Sequence, residues 1–468
     1  MISTTYRFAA FGVACLSALA VACGGIGSTL SSSGESVHQI AFPDKHDHSP
    51  KHDPSPTPTP APSPSPQPSP TGSPGVQHVV IIIQENRSVD DLFNGFPGAD
   101  TAQAGQTHDG STVRLTQRSL AAPGDAEHSH GAWVTDWNSG GMNGFDLRAP
   151  QGQPSTYNYE FVPQSETVPY WNLASTYTFA DRFFQSNTGP SFPAHLYLIS
   201  GQSAMAAGNP EISNVPTNPW GCDSPPNAIV QVLTQNGQLT DGPFPCFDFT
   251  TLADEMDNAG VSWRYYAPAL GTSGDVWSAF DAIRHIRFGG DWNRVISPET
   301  QILTDVSSGS LAQVTWVVPS KINSDHAGSK STSGPQWVAS IVNAIGGSQY
   351  WNNTVIFVTW DDWGGWYDHV SPPQLDAMGL GFRVPLIVVS PFAKRAYVSH
   401  VQHEFGSILK FTEEQFGLPS LGTTDARADD LSDCFNFGQR LERFVPVKTR
   451  ISPTFFIHQP ASGEPPDD

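Results

Sequence analysis

The sequence predicts an α/β protein with a mostly parallel central sheet and helices on both faces. Three observations carry that reading. The runs Gln77–Ile83 and Thr354–Thr359 are dominated by β-branched and aliphatic residues without polar alternation, as strands covered on both faces require. Helix-length segments separate runs of this kind, which sets up repeated strand–helix–strand units. Acidic residues follow the ends of two such runs, where open parallel sheets bind their ligands.

Taken from the amino terminus, residues 1–23 read as an export signal. Arg7 supplies the positive start, Phe8–Val21 the apolar stretch and Ala20-Val21-Ala22 a small-residue cleavage site. The apolar stretch is short for a membrane span. Leu19-Ala20-Val21-Ala22-Cys23 also resembles a lipoprotein box, with Ala20 as a departure, so a lipid on Cys23 is expected and ordinary cleavage is the alternative. Residues 24–75 are expected to be a disordered linker. Within it, residues 54–74 alternate Pro with Ser, Thr or Ala and favour extended polyproline II, a reach of roughly 60 Å. The expected location is exported: periplasmic, outer-membrane lipoprotein or secreted, with the membrane met only through the N-terminal anchor.

Residues 76–468 are expected to form one catalytic domain. A formal charge of −21 argues against a nucleic-acid or anionic-membrane binder, whose footprint would be basic. Gln77–Ile83 opens the domain as a central strand, and Ser88 is placed to cap a short helix. The segments around Glu127-His128-Ser129-His130 and Trp137–Phe145 read as loop. Pro169–Phe184 reads as a helix and then a strand, and His195–Ser200 as a helix with Ser191 at its approach. Thr251–Ala259 is a helix ended by Gly260, and Val261–Tyr266 and Ala312–Val318 are strands. Trp337–Ile345 is an amphipathic helix, Thr354–Thr359 and Val384–Ser390 are strands, and Gly406–Phe416 is a helix. Cys222 and Cys246 flank a Pro/Gly/Asn-rich loop and are expected to be disulfide-bonded after export, while Cys434 reads as a buried apolar residue.

The chemistry concentrates at three places. Glu85-Asn86 and Asp361-Asp362 each follow a strand, and like charges side by side need a cation or a shared proton. Hard oxygen donors of this kind suit a metal that polarises a phosphoryl or carbonyl oxygen. Ser191 lies between Pro190 and Pro193, which stiffen the chain around one hydroxyl. Asp325-His326 and Asp368-His369 add two candidate proton carriers. The composite is metal-assisted hydrolysis of a phosphate ester through a phosphoserine.

Glu85-Asn86-Arg87-Ser88, Gly189-Pro190-Ser191-Phe192-Pro193, Ser324-Asp325-His326 and Asp361-Asp362-x-Gly364-Gly365-x-Tyr367-Asp368-His369 occur in that order. In this the chain resembles the bacterial phosphoesterase family of phosphatidylcholine-type phospholipases C and acid phosphatases, over residues of about 77 to 448. The resemblance implies an alkaline phosphatase-like fold and a divalent metal ion of unspecified identity. It implies Glu85, Asn86, Ser191, Asp361 and Asp362 as metal ligands, with Ser191 also the nucleophile. His326 would lie near the leaving group or a phosphoryl oxygen, His128 or His130 would match an upstream family histidine, and His369 would line the site or stand just behind it.

Three positions depart from the pattern: Val89 stands for Phe, Asn143 for Asp, and Ala194-His195 for Asn-Arg. If that Arg grips phosphate, His195 would do so only when protonated, favouring acidic pH. The expected activity is acid-phosphatase-like, on a small phosphate ester. The alternative is a phospholipase C acting on phospholipid head groups, for which Trp133, Trp137, Tyr157, Tyr159, Trp363 and Trp366 are candidates for an aromatic cage. A lesser alternative is a surface binding protein on the same scaffold without catalysis.

Overall fold

The computed structural model describes residues 75–461. The export signal and all but the last residue of the expected linker lie outside the described residues, so the reading of residues 1–74 has no structural counterpart here.

The core is an eight-stranded sheet. In chain order its strands are β1 (His78–Gln84), β2 (Thr178–Ala180), β3 (Trp263–Tyr266), β4 (Val295–Ile296), β5 (Val314–Val317), β6 (Thr354–Trp360), β7 (Leu386–Val389) and β8 (Tyr397–Ser399). Their order across the sheet is β4-β3-β5-β1-β6-β7-β2-β8. Only β7 runs against its neighbours; every other pairing is parallel. Every residue of β6, and all of β1 after His78, is buried, so both alternating sets of side chains are covered. Each Val or Ile sealed in this way contributes about 1.5–3 kcal/mol relative to exposure.

The longer helices pack against one another in separate groups. α3 (Val168–Thr176) packs with the helix Gly334–Gly346, and α4 (Ser191–Ser200) packs with Phe405–Phe416 and Leu252–Ala259. Most sequence boundaries shift by one to three residues, as frayed ends do. Two differences are larger. The stretch read as loop around His130 is a helix, α2 (His130–Trp137), whose first turn is capped by Ser129 Oγ accepting from Ala132 N at 3.2 Å. The helix expected from His195 begins four residues earlier at Ser191, with Pro193 inside its first turn, where proline costs no intrahelical hydrogen bond.

The disulfide Cys222–Cys246 is present, and Cys434 is buried. Among the described residues, no helix is long and apolar enough to cross a membrane.

Candidate active site

The register of the two central strands assembles the site. β1 and β6 are parallel with Gln84 paired to Trp360, so the next residues of each, Glu85-Asn86 and Asp361-Asp362, leave the sheet side by side. All four are fully buried. The exit is locked by backbone bonds: Glu85 N donates to Ser324 O at 2.8 Å and Asp361 N to Gln84 O at 3.0 Å. Asn86 takes a left-handed conformation with φ 62°, and its N–H donates to Asp361 Oδ1 at 2.9 Å.

Helix α4 closes the third side. Ser191 and His195 are four residues apart, so they share one face of the helix. Ser191 Oγ lies 3.3 Å from Asp362 Oδ2 and 3.4 Å from Asn86 Oδ1. His195 Nε2 lies 3.1 Å from Glu85 Oε1 and 3.7 Å from Asp361 Oδ2. The five expected metal ligands therefore meet in one place. His195, which would grip phosphate only if it stood in for the family Arg, joins them and is directed at two carboxylates.

Position is enforced from behind. Asp362 Oδ1 accepts from Gly364 N at 2.7 Å. Gly364 has φ 63°, and a Cβ there would lie 2.3 Å from Asn86 O, so only glycine lets the turn pass this close. His128 Nδ1 donates to Ala126 O at 2.8 Å, which leaves Nε2 to accept from Asn86 Nδ2 at 3.0 Å. The Asn86 amide is thereby turned with its oxygen toward Ser191. Arg87 faces away: its guanidinium is held by Asp325 O at 2.6 and 2.8 Å and by Asp91 at 3.2 Å.

The remaining histidines divide. His326 sits near His128, with ring centroids 6.1 Å apart; it stacks on Trp277, and its Nδ1–H donates to Ala327 O at 2.7 Å. His130 donates to or accepts from Thr188 Oγ1 at 2.8 Å, and burial lowers its pKa. His369 belongs to a different network, bound to Asp90 at 2.6 Å and Asp100 at 3.0 Å beside Arg383.

The two Asp-His neighbours are not working pairs. Asp325 turns from His326 to accept from the Tyr170 hydroxyl at 2.6 Å, and burial raises its pKa to about 6. Asp368 pairs with Arg383 at 2.9 Å instead of with His369. Adjacent side chains in a turn diverge, and sequence adjacency alone does not predict contact.

A cleft of about 650 Å³ is lined by Pro190, the residue before the fully buried Ser191, and by His128, His130, Asn209, Arg148 and Glu127 among others. Leu147 and Leu239, 54% and 40% exposed, also line it. The N–H of Phe192, at the start of α4, already donates to Asn209 Oδ1 at 3.0 Å. None of the six aromatic residues considered for a cage lines this cleft. Trp133, Tyr159 and Trp363 pack with Phe145, Tyr367 and Phe382, while Tyr157 and Trp366 stack under Arg118. Trp137 packs on Trp133.

The buried donor set fits a divalent cation. Asp361 Oδ2 is sealed from solvent without a hydrogen-bond donor, a state that costs several kcal/mol unless a positive charge meets it. Three carboxylates, an amide oxygen, a hydroxyl and an imidazole converge around it, which is the chemistry of a metal shell.

Residues 76–419 match the model of the phosphoesterase family. The chain is 26% identical over 427 residues to the hemolytic phospholipase C of Pseudomonas aeruginosa, covering 77% of this chain and 56% of that protein. It is 27% identical over 438 residues to phospholipase C B of Mycobacterium tuberculosis, covering 77% and 78%. The chain thus spans little more than half the length of the Pseudomonas relative. Among solved structures, one of a protein in the alkaline phosphatase superfamily from Vibrio parahaemolyticus aligns at 10% identity and a TM-score of 0.35, covering 76% of this chain and 71% of that one.

Proposed function

From its place in the phosphoesterase family, to which the chain belongs, we propose that it is a phosphoric ester hydrolase of the phospholipase C kind. One observation carries the chemistry: Ser191 Oγ stands within 3.4 Å of Asn86 and Asp362, beside the Glu85–His195–Asp361 group and directly after Pro190 in the cleft wall. Similarity to phospholipases C favours a phosphodiester substrate over the acid-phosphatase reading. The apolar side chains of Leu147 and Leu239 support a lipid, because they stand at the cleft where acyl chains would emerge from a head-group pocket. Retention of every expected ligand counts against a scaffold without catalysis.

Glu85, Asn86, Ser191, Asp361 and Asp362, with His195, would hold a divalent cation; when bound, it lowers the pKa of the serine hydroxyl and neutralises phosphoryl charge. Ser191 Oγ forms a bond to phosphorus as the phosphorus–oxygen bond to glycerol breaks, and its proton passes to Asp362 Oδ2, already 3.3 Å away. His326, as an imidazolium, protonates the departing oxygen. Water then attacks the phosphoserine, giving a proton to the now neutral His326, while the proton held by Asp362 returns to Ser191 Oγ as the phosphorus–Oγ bond breaks and the phosphorylated head group leaves.

The test compares p-nitrophenylphosphorylcholine with p-nitrophenyl phosphate on the purified protein and on Ser191→Ala. The diester should turn over faster, and the variant should lose at least about a thousandfold in kcat, as nucleophile deletions do. Intact hydrolysis in Ser191→Ala would end the nucleophile assignment. A preference for the monoester would restore the phosphatase reading.

A further inference from the structure

Two groups of His and carboxylate side chains lie near the sheet ends, and their surroundings differ. In the group Asp90, Asp368 and His369, Arg383 supplies a permanent positive charge, with Nε 2.9 Å from Asp368 Oδ1 and a terminal nitrogen 3.7 Å from Asp90 Oδ2. That group is a salt-bridge network and needs no ion. In the group Glu85, His195 and Asp361, every residue is at least 98% buried, the ligand atoms lie within 4.8 Å of one another, and Asp361 Oδ2 lacks a hydrogen-bond donor.

The spacing of this second group comes close to that of donors on a single ion, with one distance inside the expected range and one slightly longer. Metal–nitrogen and metal–oxygen distances of about 2.0–2.2 Å put neighbouring donors roughly 3.0–3.5 Å apart. His195 Nε2 is 3.1 Å from Glu85 Oε1 and 3.7 Å from Asp361 Oδ2. Helix α4 carries Ser191 and His195 one turn apart on the same face, so the element that delivers the hydroxyl also delivers the imidazole.

We propose that His195 is a direct cation ligand together with Glu85 and Asp361, and that its imidazole turns the site toward borderline divalent transition ions and away from Mg²⁺ and Ca²⁺. An all-oxygen shell built from Glu85, Asn86, Ser191, Asp361 and Asp362 would suit the hard ions; one nitrogen donor shifts the preference toward Zn²⁺, Fe²⁺ or Co²⁺. The inference rests on the reading that this site takes a divalent cation, and it adds which donor decides the identity.

The experiment uses the full chain stripped with a chelator. Co²⁺ binding is titrated through its visible d–d absorption, and Mg²⁺ binding by the rise in melting temperature that a ligand of the folded state produces. The parent should bind Co²⁺ more tightly than Mg²⁺. In His195→Gln, Co²⁺ affinity should fall at least about tenfold, the lower bound seen for residues that merely support a ligand, while Mg²⁺ affinity changes by less than about threefold. His195→Asp, which restores an all-oxygen shell, should reverse the preference. A Co²⁺ affinity in both variants equal to that of the parent overturns the proposal, because a merely structural histidine would leave metal discrimination unmoved. If the parent binds neither ion, the reading under Proposed function falls instead.

Discussion

Gly364→Ala tests whether the site depends on the close passage of two chain segments. Gly364 has φ 63°, and its added Cβ would stand 2.3 Å from Asn86 O and 2.8 Å from Asn86 C and Cβ. Ordinary contact begins near 3.4 Å, so one segment must yield by roughly 1 Å. The left-handed conformation costs alanine about 1–2 kcal/mol, and the overpacking about 1–3 kcal/mol more. Either Asn86 or the turn that carries Asp362 must yield, since Asp362 moves with Gly364 through its 2.7 Å bond to Gly364 N, so an expected ligand is displaced in both cases. A shift of about 1 Å at a positioning residue lowers turnover by roughly a hundredfold, or about 2.7 kcal/mol in the barrier. The control is Gly260→Ala, at φ 71° with nothing within 4 Å of the new Cβ, which carries the conformational cost without the clash. Both proteins are assayed for kcat/KM on p-nitrophenylphosphorylcholine and for thermal stability. Gly364→Ala should lose about a hundredfold in activity, and Gly260→Ala almost none. If Gly364→Ala keeps activity within about threefold of the control, the site tolerates the displacement and the argument from close passage is wrong.

The His369 network predicts a pH dependence of stability. Burial works to lower its pKa, but the hydrogen bond to Asp90 and the charges of Asp90 and Asp368 outweigh it, and Arg383 opposes them only in part; the imidazole is held up to about 9. The folded value lies above the unfolded 6.5, so the stabilisation is fully present below about 6.5 and is lost as pH rises through 9. At face value this is about 3 kcal/mol; with 26% of the side chain in solvent, about 1–2 kcal/mol is expected. Urea unfolding between pH 6 and 10 should show that slope in the parent and lose it in His369→Gln; equal slopes would refute the assignment. The disulfide closes a separation of 24 residues, so Cys222→Ser with Cys246→Ser should lower unfolding stability by about 3 kcal/mol, and a change below about 0.5 kcal/mol would show that the loop is held by other contacts.

The sheet was legible where strands are buried on both faces. Gln77–Ile83 and Thr354–Thr359 announce themselves because nothing polar interrupts them, whereas β4 has two residues and β8 three, too few for any periodicity. The strand-end acids were legible for the same reason, being polar residues placed directly after an apolar run. His195 is not legible as a metal-site residue as long as Pro193 is placed outside the helix. With the helix started at Ser191, the serine and histidine stand at positions i and i+4 on one face, a signal present in the sequence. The helix at His130 is hard to see in the sequence because Gly131 in its first turn and the β-branched Val134 and Thr135 weaken it locally, and only the Ser129 cap signals it. The pairings of Asp325 and Asp368 were not legible at all, since Tyr170 and Arg383 are 155 and 15 residues away from them.

The parts that would do chemistry and the parts that would choose substrate come from different kinds of structure. Glu85, Asn86, Asp361 and Asp362 extend two strands paired in register, and Ser191 and His195 sit on a ten-residue helix packed beneath them. Such elements hold side chains to fractions of an ångström, as a metal shell requires. The cleft, in contrast, is lined by the loop from Asp125 to the start of α2, by Leu147–Gln151, and by short hairpins around Glu211, Gln231 and Leu239. Loops of this kind accept insertion and exchange without disturbing the sheet. The Cys222–Cys246 bond closes the loop that contains Leu239, so that part of the cleft wall is held by a covalent link as well as by packing of Val230 and Leu233 in the core. Under the proposed reading, substrate preference would change through residues such as Arg148, Glu127 and Leu239 while Ser191 and the buried donor set stay where β1, β6 and α4 put them.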